Sequence, residues 1–171
     1  MAHSVAENAH LKKRASIPLL AATTLGTVLL GFLAGLFSKS KNGYSGLVLP
    51  PAAPPDIVFP IVWGVLYFTI GLSLFFILRK PAVTKAYERD QKTAFVLWII
   101  AFAFNLAWPF AFFTFKLYTF SFIWLAALTA INLATIIYAF RVSPTAGALL
   151  IPYEAWLMFA LYLNLFVAIL N

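Results

Sequence analysis

Cysteine is absent and acids are scarce: the 171 residues hold no Cys, and five Asp plus Glu against twelve Lys plus Arg. Without cysteine there are no disulfides, thiolate metal sites or thiol nucleophiles, and the redox compartment stays open. Histidine is limited to His3 and His10, both in the N-terminal tail, so the apolar stretches hold no histidine base or ligand. Charged residues make up 10% of the chain, where soluble domains carry roughly 25%. No nucleophile and base pair, metal cluster or nucleotide loop can be read from what remains, so no metal or cofactor is expected.

What is there is apolar. Hydrophobic residues reach 63%, aromatic residues 18% and mean hydropathy +0.93, which places the chain in a membrane. The formal charge of +7 does not point to nucleic acid, because the basic residues flank apolar runs as topology determinants do.

A polar, basic tail over residues 1–14 ends in Lys12-Lys13-Arg14 and leads into an apolar run too long for the core of a cleaved signal peptide. Hydropathy predicts membrane helices over residues 15–37, 57–78, 93–115, 117–140 and 144–170, each long enough to cross ~30 Å of hydrocarbon. The fold class is therefore an all-α membrane protein, a single domain of five transmembrane helices over residues 15–171. Asp56 before the second run and Ser143-Pro144 before the fifth read as helix starts.

Most basic residues fall on one side, in the tail, the second connection (Arg79, Lys80, Lys85, Arg89, Lys92) and the fourth (Arg141); Lys39, Lys41 and Lys116 fall on the other. In a bacterial plasma membrane this puts the N terminus in the cytoplasm; a mitochondrial outer membrane is the alternative. The long first connection then lies outside. Its Pro50-Pro51-Ala52-Ala53-Pro54-Pro55 run is stiff, suited to a lid over a pocket or to a rigid connector.

Helical spacing aligns Phe59, Trp63 and Tyr67 on the second span, Asn105, Trp108 and Phe112 on the third, and Pro152, Trp156, Ala160 and Leu163 on the fifth. The stripes are either pocket walls or ordinary membrane aromatics. Asn105 and Asn132 lie deep in their spans, where an amide needs an interhelical partner or a ligand. For Asn105, beside aromatics, both uses stand; for Asn132 the interhelical clamp is favoured. Glu154, the one acid inside a span, points away from the Trp156 stripe, towards a proton site or an interface with a neighbouring helix or subunit. Gly31 and Gly35 form a GxxxG that fits either a dimer face or packing within the chain, and Pro109 and Pro152 are expected to kink their helices.

An ordered set of strings carries a resemblance: Pro54-Pro55, Val58-Phe59-Pro60-Ile61-Val62-Trp63, Leu66-Tyr67 and Gly71; Asn105-Leu106-Ala107-Trp108-Pro109 with Phe112-Phe113; Val142-Ser143-Pro144; and Leu149-Leu150-Ile151-Pro152-Tyr153-Glu154-Ala155-Trp156 with Phe159-Ala160 and Leu163-Asn164. The chain resembles the translocator protein family, also called tryptophan-rich sensory proteins or peripheral benzodiazepine receptors, and is similar to its bacterial members. The resemblance implies a five-helix bundle, commonly a homodimer, with a pocket beneath the first loop. Members bind porphyrins, and animal members bind cholesterol and benzodiazepine-site ligands. Carried over by motif, the pocket residues are Tyr44, Pro54, Phe59, Trp63, Tyr67, Asn105, Trp108, Trp156, Ala160 and Leu163. Trp63 and Trp156 match positions implicated in light-dependent porphyrin breakdown.

The chain departs from the family in three places. Leu49-Pro50-Pro51-Ala52 stands where relatives have Lys-Pro-x-Trp, residues 165–171 lack the tyrosine and basic residue of the animal sterol motif, and Glu154 replaces a residue more often apolar. The functions implied are binding, transport or sensing of a porphyrin or similar flat hydrophobic molecule, and, alternatively, light-dependent porphyrin degradation through Trp63 and Trp156.

Overall fold

The computed structural model describes residues 2–38, 44, 46–79, 81 and 84–171, with side chains from residue 17 onward. Five α-helices follow in order, α1 (Ala2–Ser38), α2 (Val58–Leu78), α3 (Lys85–Pro109), α4 (Tyr118–Val142) and α5 (Pro144–Leu170), and a π-helical turn, Phe110–Thr114, extends α3. Each α-helix contains a span long and apolar enough to cross a membrane, and no strand occurs among the described residues. The chain is an integral, multi-pass, five-helix protein, as hydropathy predicts.

Two helix starts differ from the sequence reading. α1 runs back to Ala2, so residues 2–14 of the tail continue the first span as helix. α3 starts at Lys85, not at residue 93, because the Thr84 hydroxyl caps it, accepting the Tyr87 N–H at 3.1 Å. The charged first turns of α3 are stabilised by their own pairs, including Lys92 to Glu88 at 2.6 Å, and hydropathy registers only the greasy part of such a helix. The expected caps also change. Asp56 makes no side-chain cap bond, only its backbone carbonyl accepting the Phe59 N–H at 3.3 Å, since the N-cap of α2 is Ile57, and Ser143 occupies the N-cap of α5 beside Pro144 without a side-chain bond.

Pro109 lacks the N–H that would continue the α-helical ladder, and it is the last residue of α3. Beyond it the chain shifts to π geometry, with the Phe115 N–H bonded to the Phe110 carbonyl at 2.9 Å. Lys116 then takes φ 55°, a left-handed turn residue, and the Leu117 N–H closes on the Ala111 carbonyl at 3.0 Å before α4 begins.

Around the bundle α1 packs on α2, α2 on α5, α5 on α4 and α4 on α3, and smaller contacts from α3 to α1 and α2 complete the ring. Lipid offers helices no hydrophobic drive to associate, so small residues and polar bonds hold the contacts. A Cβ on Gly71 would lie 2.7 Å from the Thr24 backbone, so only glycine allows this approach of α1 to α2. Beside it the Thr27 hydroxyl donates to the Tyr67 carbonyl at 2.9 Å. Ser73 donates to the Ala146 carbonyl at 2.8 Å, linking α2 to α5, and the Trp98 ring N–H donates to the Ile70 carbonyl at 3.2 Å, linking α3 to α2.

The two ends of the bundle are unlike. Near Arg79 and Arg141 the interior is filled by Ile77, Ala94, Trp98, Ala139, Ala146 and Leu150. Towards the first connection, larger spacing between α1, α2, α3 and α5 leaves a cavity. Lys39, Lys41 and Lys80, and the side chains of His3, His10, Lys12, Lys13 and Arg14, lie outside what is described.

Candidate functional site

The cavity has a volume of about 590 Å³, within the range of ~300–1,000 Å³ usual for small-molecule sites. Phe59, Trp63 and Tyr67 reach it from α2, Asn105 and Trp108 from α3, Trp156, Ala160 and Leu163 from α5, and Tyr44 from the first connection. The helical stripes thus converge on one space, and Trp63 and Trp156 share it. Pro54 does not line the cavity; it belongs to the stiff run beside it, and Tyr44 is the loop residue that closes the wall.

The aromatic walls are ordered by ring contacts. Trp63 stacks on Tyr67 with centroids 5.3 Å apart and meets Tyr153 edge-on at 6.2 Å. Phe59 meets Trp156 edge-on at 6.0 Å and Tyr44 at 5.0 Å. Trp108 stacks on Phe112 at 5.0 Å, and Phe112, 1% exposed, also packs against Tyr44 and Tyr118. The π-helical turn carries Phe112 and Phe113 to the cavity wall, and Thr114 next to them donates to the Ser38 carbonyl of α1 at 3.1 Å.

Polar groups in the wall fall into two sets. Trp108 is tied down, its ring N–H shared between the Ser121 carbonyl at 3.1 Å and Asn164 Oδ1 at 3.3 Å, while Asn164 donates in turn to the Tyr118 carbonyl at 3.0 Å. Asn105 is half committed. Its Nδ2 donates to the Tyr153 hydroxyl at 2.9 Å, and its Oδ1 is buried without a partner. The Trp156 ring N–H is likewise buried and unpaired. Both atoms belong to residues of the cavity wall but are themselves buried, so a ligand reaches them only after a small side-chain shift. An unpaired buried polar group costs roughly 1–3 kcal/mol, and a ligand that bonds to either one offsets that cost.

Glu154 lies outside the cavity. Asn132 on α4 donates to its Oε2 at 2.8 Å, joining α4 to α5. Gly31 and Gly35 line the cavity, and Gly31 sits against the Tyr67 ring.

Several lining residues were outside the sequence reading of the site. Val28, Phe32 and Leu36 of α1 left no signal, because that span is apolar all round. Asn164 carried one, as an amide deep in a span. Asp56 also lines the cavity, and its carboxylate acts on Tyr44: burial first, and then Asp56, push the Tyr44 phenol up to about 12.

Two hydrogen bonds fix the connection above the cavity. The Val48 N–H donates to Asn171 Oδ1 at 2.9 Å and Asn171 Nδ2 donates to the Val48 carbonyl at 3.2 Å, fastening the loop to the end of α5.

The comparisons with known proteins agree with this architecture. The sequence model of the TspO/MBR family matches residues 22–170. The chain is 32% identical over 143 residues to the tryptophan-rich protein TspO of Chlorobaculum tepidum, covering 82% of this chain and 88% of that protein. It is equally identical, over 143 residues, to the translocator protein of Sus scrofa, covering 82% and 83%, and 28% identical over 154 residues to the tryptophan-rich protein TspO of Archaeoglobus fulgidus, covering 89% and 96%. A five-helix membrane bundle whose aromatic stripes meet in one cavity, matched by the family model from α1 to the end of α5, belongs to the TspO/MBR family.

Proposed function

We propose that this protein binds a porphyrin, or a molecule similarly flat and hydrophobic, in the cavity among Trp63, Trp108 and Trp156, and sequesters or translocates it in the membrane. One observation supports this most: three indoles from three helices line a single, mainly apolar space. A flat macrocycle lies with its faces on the indoles, each well-placed aromatic pair adding ~1 kcal/mol beyond area burial. The names of the relatives, translocator protein and tryptophan-rich protein, fit such a role.

The basic residues at the filled end of the bundle favour a cytoplasmic N terminus in a bacterial plasma membrane, with the cavity opening on the far side. A homodimer is the proposed assembly. A contact through Gly31 and Gly35 would share a wall with the ligand, since both glycines line the cavity.

A second reading is light-dependent porphyrin degradation. It draws support from Trp63 and Trp156 facing the same space, with Trp63 stacked on Tyr67 and in contact with Tyr153, a set of oxidisable rings beside a photoexcited ligand. Purified protein mixed with protoporphyrin, followed in light and in dark, separates the two. Quenching of tryptophan fluorescence with a stable porphyrin spectrum is the outcome expected for binding. Loss of the spectrum in light only, abolished in Trp63→Phe or Trp156→Phe, establishes the degrading enzyme. Absence of quenching contradicts both.

A further inference from the structure

Among the described residues Asp56 is the one charged group in the cavity wall, and it sits at the loop end, beside Tyr44 and Phe59. Its carboxylate has no structural duty that accounts for it. It makes no cap bond to α2, whose N-cap is the Ile57 position, and it forms no ion pair among the described residues. A carboxylate near a helix N-terminus gains a little from the helix dipole, but that gain does not require the side chain to face a cavity. Its influence does extend into the site, because it acts on the phenol of Tyr44, which is itself buried in the wall.

We propose that Asp56 makes the mouth of this cavity selective for ligands whose outer end is cationic or uncharged, and that the preferred ligand class is a flat aromatic body bearing a protonated amine. The body lies against Trp63, Trp108 and Trp156, and the ammonium group rests between the Asp56 carboxylate and the neighbouring aromatic faces of Tyr44 and Phe59. Carboxylate attraction and cation–π attraction favour a positive charge there and disfavour a negative one. Among tetrapyrroles, free propionates directed at the mouth are penalised, and the same macrocycle with its side chains esterified or carrying amines is accepted. The proposal rests on the reading of the cavity as a tetrapyrrole site and refines which member of that class it takes.

The test uses one macrocycle with three outer groups: protoporphyrin with two free propionates, its dimethyl ester, and its bis-amide with 1,2-diaminoethane, which carries two ammonium groups. Each is titrated by tryptophan quenching against the full chain, Asp56→Asn and Asp56→Glu in an uncharged detergent. Affinity is expected to rise from acid to ester to amine by about two- to fivefold per step, the scale of a partly exposed ion pair, with the amine's advantage shrinking as salt is raised. In Asp56→Asn the amine and ester should bind equally, whereas Asp56→Glu, which keeps the charge, should retain the amine preference. Equal binding of amine and ester by the unaltered chain, or an amine preference that survives in Asp56→Asn, overturns the proposal and leaves the tetrapyrrole reading standing. Failure of all three compounds to bind overturns both.

Discussion

Trp108 and Trp156 line the same cavity in opposite states. The ring N–H of Trp108 is shared between a carbonyl and an amide oxygen, whereas that of Trp156 is buried with nothing to bond. Removing each donor should therefore have opposite effects on the free protein. Trp108→Phe leaves Asn164 Oδ1 without its donor and removes the tie from α3 to α4, and is expected to destabilise by about 1 kcal/mol, read as a lower thermal midpoint in detergent. Trp156→Phe removes an unsatisfied donor and should leave the midpoint unchanged or raise it while weakening porphyrin binding. A midpoint that falls as far in Trp156→Phe as in Trp108→Phe contradicts the assignment of its N–H to a ligand. The sequence revealed that Trp156 and Asn105 lie on helical stripes, since spacing alone decides that. It did not reveal which indole is paired, because the partners of Trp108 come from α4 and α5 and depend on how those helices meet α3.

Helix positions were legible where composition changes sharply and illegible where geometry changes without it. The apolar cores of all five spans follow from hydropathy. The start of α3 does not, because the run from Lys85 to Lys92 is polar and its helix depends on the Thr84 cap. The π-helical turn is visible only as Pro109, which announces a break in the ladder but not the register that brings Phe112 and Phe113 into the cavity wall. The first connection was readable as stiff from its prolines. Its anchor was not readable, because Asn171 and Val48 stand at opposite ends of the bundle's sequence. If those two bonds hold the loop over the cavity, Asn171→Ala should speed amide hydrogen exchange at Val48 by up to about tenfold, since roughly 1.4 kcal/mol corresponds to a factor of ten. Exchange within α2 should stay unchanged. Unaltered exchange at Val48 would show that the loop is held by Tyr44 packing alone.

At the scale of the molecule, the arrangement is a bundle packed solid at its basic end and hollow at the other. The basic end is filled by small and branched residues around Trp98 and is tied by backbone-directed hydrogen bonds. The hollow end spends its large aromatics on lining a space. Spacing in the sequence supplies three stripes, and the family resemblance supplies their convergence on a single cavity. An acid before an apolar run is the common cap signal, yet Asp56 makes no side-chain cap bond, and only the packing of the loop puts it in the cavity wall.

The central claim is that this cavity is the ligand site, and filling it is the most direct test. Ala160 lines the cavity on α5, whereas Ala155 on the same helix is exposed and lies outside it. Binding of protoporphyrin dimethyl ester should fall at least about tenfold in Ala160→Phe, the order of one lost aromatic contact plus displaced volume, and remain at the unaltered level in Ala155→Phe. Equal binding by Ala160→Phe and the unaltered chain would place the ligand elsewhere and contradict the account.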